Sequence, residues 1–175
     1  MELFEAIKKR HSYRGKFLDQ AIPRKDLVKI VEAGIAAPSG KNEQTTDFVI
    51  VDDPLLVEEI AVIAEKPFIK TAKAVIACVV NPKPVFHGIS FEVEDVSAAV
   101  QNMLLAITAL GYASVWIDGN IRLDGKSDRL NSLLGVKAPR YVRIILPVGR
   151  PATVERQKEK KPFDERAWFN RHGST

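Results

Sequence analysis

The apolar positions near the start of the chain fall at helical spacing. Leu3, Phe4 and Ile7 in LFEAIKK share one side, and Lys8 and Lys9 sit at the end where the helix dipole favours cations. This predicts a helix that stops near Arg10. After a polar connector to Pro23, the positions Leu27, Val28, Ile30, Val31 and Ile35 predict a second amphipathic helix, closed by the Pro and Gly breakers of APSGKNEQ. DFVIVDD then reads as a strand. DPLLVEEIAVIAEK reads as a helix with Asp53 as its N-cap and Pro54 in its first turn.

The run AVIACVV, bounded by NPKP, predicts a strand buried on both faces, with Cys78 as a core residue rather than a reactive thiol. FEVEDVSAAVQNMLLAITAL predicts the longest and most buried helix, ended by Gly111 in a left-handed cap. ASVWI and YVRIILPVG read as two further strands, separated by a short helix in KSDRLNSLLG and a turn at Pro139. Strands alternating with helices predict one sheet layer covered by helices, of α/β or α+β class. The last stretch is charged, yet it keeps Phe163, Trp168 and Phe169. Three such aromatics predict that it docks on something, another subunit included.

Length and charge narrow the picture. With 175 residues, the chain is expected to form one domain over residues 1–175. The formal net charge is +4 with acids spread along the chain, which suits a local anionic ligand better than a coat of nucleic acid. A single cysteine rules out an intrachain disulfide and a thiolate cluster built from this chain alone, and it points to a reducing, cytoplasmic setting. MELFEAIKKR is too charged for a signal peptide, and no stretch approaches the roughly 20 apolar residues of a membrane span.

Several common chemistries lack their residues. APSGKNEQ has neither the upstream glycine nor the hydroxyl residue of a nucleoside-triphosphate loop, and no G-x-G-x-x-G follows a strand. His11, His87 and His172 lie far apart without paired ligands at metal spacing, and there is no G-x-S-x-G elbow. What remains is positive charge beside a hydroxyl. Arg10, Ser12 and Arg14 alternate, as an extended segment needs if it is to aim three side chains one way at a phosphate. From charge alone, solvated surface arginines with a turn serine explain this stretch equally well, and APSGKNEQ taken by itself reads better as a polar loop that ends a helix than as a binding loop.

The order of these pieces adds information. Arg-x-Ser-x-Arg after the first helix, Ala-Pro-Ser-Gly-x-Asn-x-Gln after the second, EDVSAAVQNMLLAITALGYASVWIDG and ILPVGRP together resemble the nitroreductase family of flavin-dependent oxidoreductases over essentially the whole chain. That resemblance implies an α+β fold with a central mixed sheet flanked by helices, an intertwined homodimer, and FMN held without a covalent bond at the interface. It implies that Arg10 and Ser12 contact the FMN phosphate and ribityl chain, and that Arg14 lies nearer the pyrimidine end of the ring. Pro38, Ser39, Gly40, Asn42 and Gln44 match a second flavin loop donated by the partner subunit. Trp116, Asp118 and Gly119 match the segment that passes the central ring, although Trp116 reads as well as a core aromatic. In QKEKKPFDE, Lys158 and Lys160 match basic residues near the phosphate, with Arg150 a further candidate and plain solvation a competing reading for each.

Two departures accompany the likeness. Gln44-Thr45-Thr46 stands where many members have Gln-Pro-Trp, and there is little room before the central helix for the substrate-covering helices of larger members. The implied activity is hydride transfer from NAD(P)H through flavin N5 to a nitroaromatic, quinone or similar small-molecule acceptor, by a ping-pong route with no side chain as acid or base. Flavin cleavage or reductive dehalogenation on the same fold is the alternative, and a basic nucleic-acid-binding domain is the rival of another class.

Overall fold

The computed structural model describes residues 1–173. Residues 174 and 175, the end of the expected C-terminal extension 150–175, lie outside the described residues. Among the described residues five α-helices surround a four-stranded sheet: α1 (Leu3–Lys9), α2 (Arg24–Ile35), α3 (Pro54–Ile63), α4 (Glu92–Ala109) and α5 (Lys126–Leu134). The sheet strands are β1 (Thr46–Val51), β2 (Ala74–Val80), β5 (Ala113–Ser114) and β6 (Tyr141–Gly149), in the order β1-β2-β6-β5. All three ladders are antiparallel, while Ser12 makes a parallel bridge to Ser114 at the β5 edge. The sheet is therefore mixed and the class is α+β.

Every residue of β2 is buried, and successive side chains enter different cores because strand side chains alternate. Val75, Ala77 and Val79 join α3 residues such as Val57 and Ile60 on one face. Ala74, Ile76, Cys78 and Val80 join α2 and α4 residues such as Ile30, Val100 and Met103 on the other. Facing it, β6 slips by one residue: Cys78 pairs with Ile144 and Val79 with Val142, so Arg143 is the extra residue of a bulge. The bulge sends Val142 into the core of Ile145 rather than that of Ile144, and it frees Arg143 from the ladder.

The helix ends follow their sequence signals. The Asp53 carboxylate accepts the Leu55 N–H at 2.8 Å and Pro54 opens α3. Gly111 at φ 79° terminates α4, with the Tyr112 N–H returning to the Ile107 carbonyl at 3.0 Å.

Two features differ from the sequence reading. The apolar stripe of α1 does not enter the core: Leu3, Phe4 and Ile7 are exposed and only Ala6 is buried. Between β2 and α4 the chain also forms a small hairpin, β3 (Pro84–Phe86) with β4 (Ile89–Ser90), turning at His87 and Gly88. Among the described residues no helix is long and apolar enough to cross a membrane.

Candidate functional site

The segment after α1 is extended and anchored by Tyr13, whose side chain is fully buried. The Tyr13 N–H donates to the Ser114 carbonyl at 2.9 Å, and its hydroxyl donates to the Lys16 carbonyl and accepts the Ala152 N–H at 3.0 Å. Because side chains alternate along an extended chain, burial of Tyr13 directs its neighbours Ser12 and Arg14 to the opposite side. Ser12 is half-buried and Arg14 exposed. Arg10 is half-buried, and its carbonyl accepts the Gln157 side-chain amide at 2.7 Å. That bond brings Lys158, the next residue, to the end of α1. Lys158 and Lys160 are both exposed. Arg150 is engaged elsewhere, with its guanidinium over the Tyr112 ring at 5.0 Å and its carbonyl accepting the Leu18 N–H at 2.8 Å.

Arg14, Trp116, Asp118 and Gly119 line one cavity of about 290 Å3, joined by Lys66, Phe68 and Asn120. The last three were not singled out from sequence. Lys66 lies in a turn whose preceding residue, Glu65, has φ 52°. Glu65 is fixed by Lys126, a buried lysine at the start of α5, at 2.9 Å. The hydrogen bond and charge of Lys126 hold the Glu65 carboxyl below its ordinary range, and Glu65 in turn raises the Lys126 pKa. Asp118 is held between Arg122 at 3.0 Å and the bulge residue Arg143 at 3.5 Å. Two cations, two aromatic walls and a polar turn therefore meet in one groove, where the Asn120 Oδ1 is buried without a hydrogen-bond partner.

The loop after α2 is a separate construction. The Asn42 N–H donates to the Ser39 carbonyl at 3.0 Å, and the Ser39 hydroxyl accepts the Gln44 N–H at 3.1 Å. Lys41, Asn42 and Gln44 all have positive φ, at 54°, 57° and 49°. Gly40 cannot carry a side chain, since a Cβ there would stand 2.4 Å from the Phe91 ring. Pro38, Ser39 and Gln44 line a second cavity of about 390 Å3 with Phe48 and Ala99. It shares no lining residue with the groove of Arg14. Within one chain, Arg14 with the 116–119 segment and Pro38, Ser39 and Gln44 thus line two separate cavities, while Arg10, Ser12, Gly40 and Asn42 line neither of them.

The comparisons with known proteins agree with this architecture. The Nitroreductase family model matches residues 7–78 and 64–150. A protein of Archaeoglobus fulgidus, provisionally named an NADH dehydrogenase/NAD(P)H nitroreductase, is 31% identical over 165 residues, covering 94% of this chain and 90% of its own length. An NADPH-dependent oxidoreductase of Staphylococcus haemolyticus is 24% identical, with 93% of this chain and 70% of its own covered. Among solved structures, an FMN-dependent nitroreductase of Clostridium difficile R20291 superposes with a TM-score of 0.83 at 24% identity, over 96% of this chain and 99% of its own. On the matched span, and on the relative that parallels it nearly end to end, the chain belongs to the nitroreductase family of oxidoreductases.

Proposed function

We propose that this chain is an FMN-dependent oxidoreductase that accepts hydride from NAD(P)H and passes it to a nitroaromatic, quinone or similar small acceptor in a ping-pong cycle. The observation that carries the reading is the groove in which Arg14 and Lys66 share walls with Phe68, Trp116 and the 118–120 turn. The residues present suit a flavin. Cations match an anionic phosphate and the negative pyrimidine edge of the reduced ring, aromatic walls match its flat faces, and the unpartnered Asn120 oxygen offers an acceptor at a polar edge.

When bound, FMN supplies hydride transfer at N5 between a nicotinamide and an acceptor. Arg10 and Ser12 hold the phosphate end, with Lys158 and Lys160 adding charge as they lie beyond the Gln157 contact to Arg10. Arg14 and Lys66 stabilise negative charge at the pyrimidine end. Asp118, gripped by Arg122 and Arg143, would keep the 118–120 backbone in place for a bound ring. No side chain acts as a general acid or base in this scheme.

The loop of Pro38, Ser39, Gly40, Asn42 and Gln44 completes the site from a second copy of the chain in an intertwined homodimer. Two observations support that arrangement: the loop and the groove share no lining residue within one chain, and α1 leaves Leu3, Phe4 and Ile7 exposed. The chain acts as one domain, and its C-terminal extension docks on the partner through Phe163, Trp168 and Phe169. A free, buried Cys78 accords with a cytoplasmic location.

The test is titration of FMN fluorescence with purified protein. Arg10→Ala weakens binding by about tenfold, as expected for loss of a charge-assisted contact, whereas Lys9→Ala, which removes an exposed pair with Glu5, changes it by less than about twofold. A protein that neither quenches FMN nor acquires its visible bands refutes the reading. If FMN binds, NAD(P)H turnover with nitro compounds or quinones supports the reductase, while loss of flavin absorbance under oxygen would favour flavin cleavage.

A further inference from the structure

Asp95, in the first turn of α4, is an acid buried to 5% exposure and lies outside the residues assigned above to flavin or nicotinamide chemistry. A carboxylate withdrawn from water is costly unless its oxygens find donors. Both do, and both donors come from the loop after α2: Oδ1 accepts the Gly40 N–H at 2.8 Å and Oδ2 accepts the Thr45 hydroxyl at 2.6 Å. The stretch between these two anchors holds the three residues at positive φ, a conformation that persists only when its surroundings impose it. The helix that carries Asp95 is itself tied down, since the Asn102 side chain donates to the Ala33 carbonyl of α2 at 3.1 Å. Both ends of the loop are therefore referred to one rigid element.

We propose that Asp95 is a positioning residue that clamps Gly40 and Thr45, and so presents Asn42 and Gln44 in a fixed arrangement to FMN before the flavin arrives. The proposal rests on the reading of this loop as part of a flavin site. It also gives a physical meaning to the threonine at 45: its hydroxyl supplies the second arm of the clamp, which an apolar side chain there has no group to replace. Holding a loop in its bound conformation raises affinity by removing the ordering cost from the binding step.

The experiment compares Asp95→Ala, Asp95→Asn and Thr45→Val with the parent by two readouts: FMN affinity from fluorescence, and the rate of tryptic cleavage after Lys41 in the flavin-free protein. Asp95→Ala is expected to weaken FMN binding by about tenfold or more and to accelerate Lys41 cleavage. Asp95→Asn restores both to near parental values, because its oxygen accepts from Gly40 and its amide donates to the Thr45 hydroxyl. Thr45→Val falls between. The proposal is overturned if Asp95→Ala keeps FMN affinity within about twofold with unchanged cleavage, or if Asp95→Asn is no better than Asp95→Ala. Should Asp95→Ala fail to fold, parental behaviour of Thr45→Val in both readouts overturns it equally. If the parent binds no FMN, the flavin reading falls, and cleavage at Lys41 alone decides whether the clamp exists.

Discussion

Removing the Tyr13 hydroxyl with Tyr13→Phe isolates one contribution to the framework of the site. The ring keeps its burial and its neighbour Phe17, whose centroid is 5.2 Å away, so no cavity opens. What is lost is a hydroxyl that bridges the Lys16 carbonyl and the Ala152 N–H. The Ala152 N–H retains a second bond to the Lys16 carbonyl at 3.0 Å, and the Thr153 N–H, which donates to the hydroxyl at a long 3.4 Å, belongs to an exposed residue that water reaches. The cost is then that of a net buried hydrogen bond, about 1–1.5 kcal/mol, rather than a full desolvation penalty. For a chain of this size it corresponds to a fall in Tm of about 2–6 °C. Tyr13→Ala, which also empties the ring's volume, should cost about 3–5 kcal/mol. Urea and thermal melts at one fixed protein concentration measure both. The reasoning fails if Tyr13→Phe is as damaging as Tyr13→Ala, or if it leaves the midpoint unchanged.

Other expectations are as concrete. The Glu65 carboxyl is held below its ordinary value of 4.5, so the unfolded chain binds more protons than the folded one in that range. Its contribution is present above the ordinary value and disappears as pH falls through the lowered one, so Glu65→Gln should flatten the acid limb of a stability curve; an unchanged limb would contradict this. Burial pushes the Cys78 thiol pKa strongly upward, so a thiol reagent should label the protein only after denaturation, and rapid labelling of native protein would show the strand to be open. Asp53→Ala removes the cap on the Leu55 N–H and should cost about 1 kcal/mol in a urea melt, with Asp53→Asn retaining most of it.

Much of the framework was legible because local signals agreed with the fold. Periodicity placed α2 and α4, Asp53-Pro54 and Gly111 marked helix ends, and the unbroken apolar run of β2 announced a strand covered on both faces. Strand direction was not legible. Burial on both faces suits a parallel sheet as readily, and only the pairing of Ala74 with Val148 and of Thr46 with Val80 decides for antiparallel ladders.

The exposed stripe of α1 illustrates another limit: periodicity reveals that Leu3, Phe4 and Ile7 share a face, not what that face meets. Arg10, Ser12 and Arg14 were visible as a charge cluster beside a hydroxyl, and the 38–44 loop as a breaker-rich stretch. Lys66 and Asp95 were not, since a lysine in a turn and an acid in a helix's first turn are ordinary in sequence. Their places depend on contacts across the fold, Lys126 to Glu65 and Asp95 to Gly40, that no local pattern encodes.

The pairing of β2 with β6 has a consequence for how the protein is made. Strand β2 is complete at residue 80, but the partner that covers one of its edges ends only at residue 149. At a synthesis rate of about 5–20 residues per second, the interval is roughly 3–14 s. During it, Ala74–Val80, seven apolar residues without a charge, has one hydrogen-bonding edge open while the chain is still being extended. A translation product arrested between α4 and β6 would keep that edge permanently, and would be a candidate for aggregation or chaperone capture rather than a smaller version of the same enzyme.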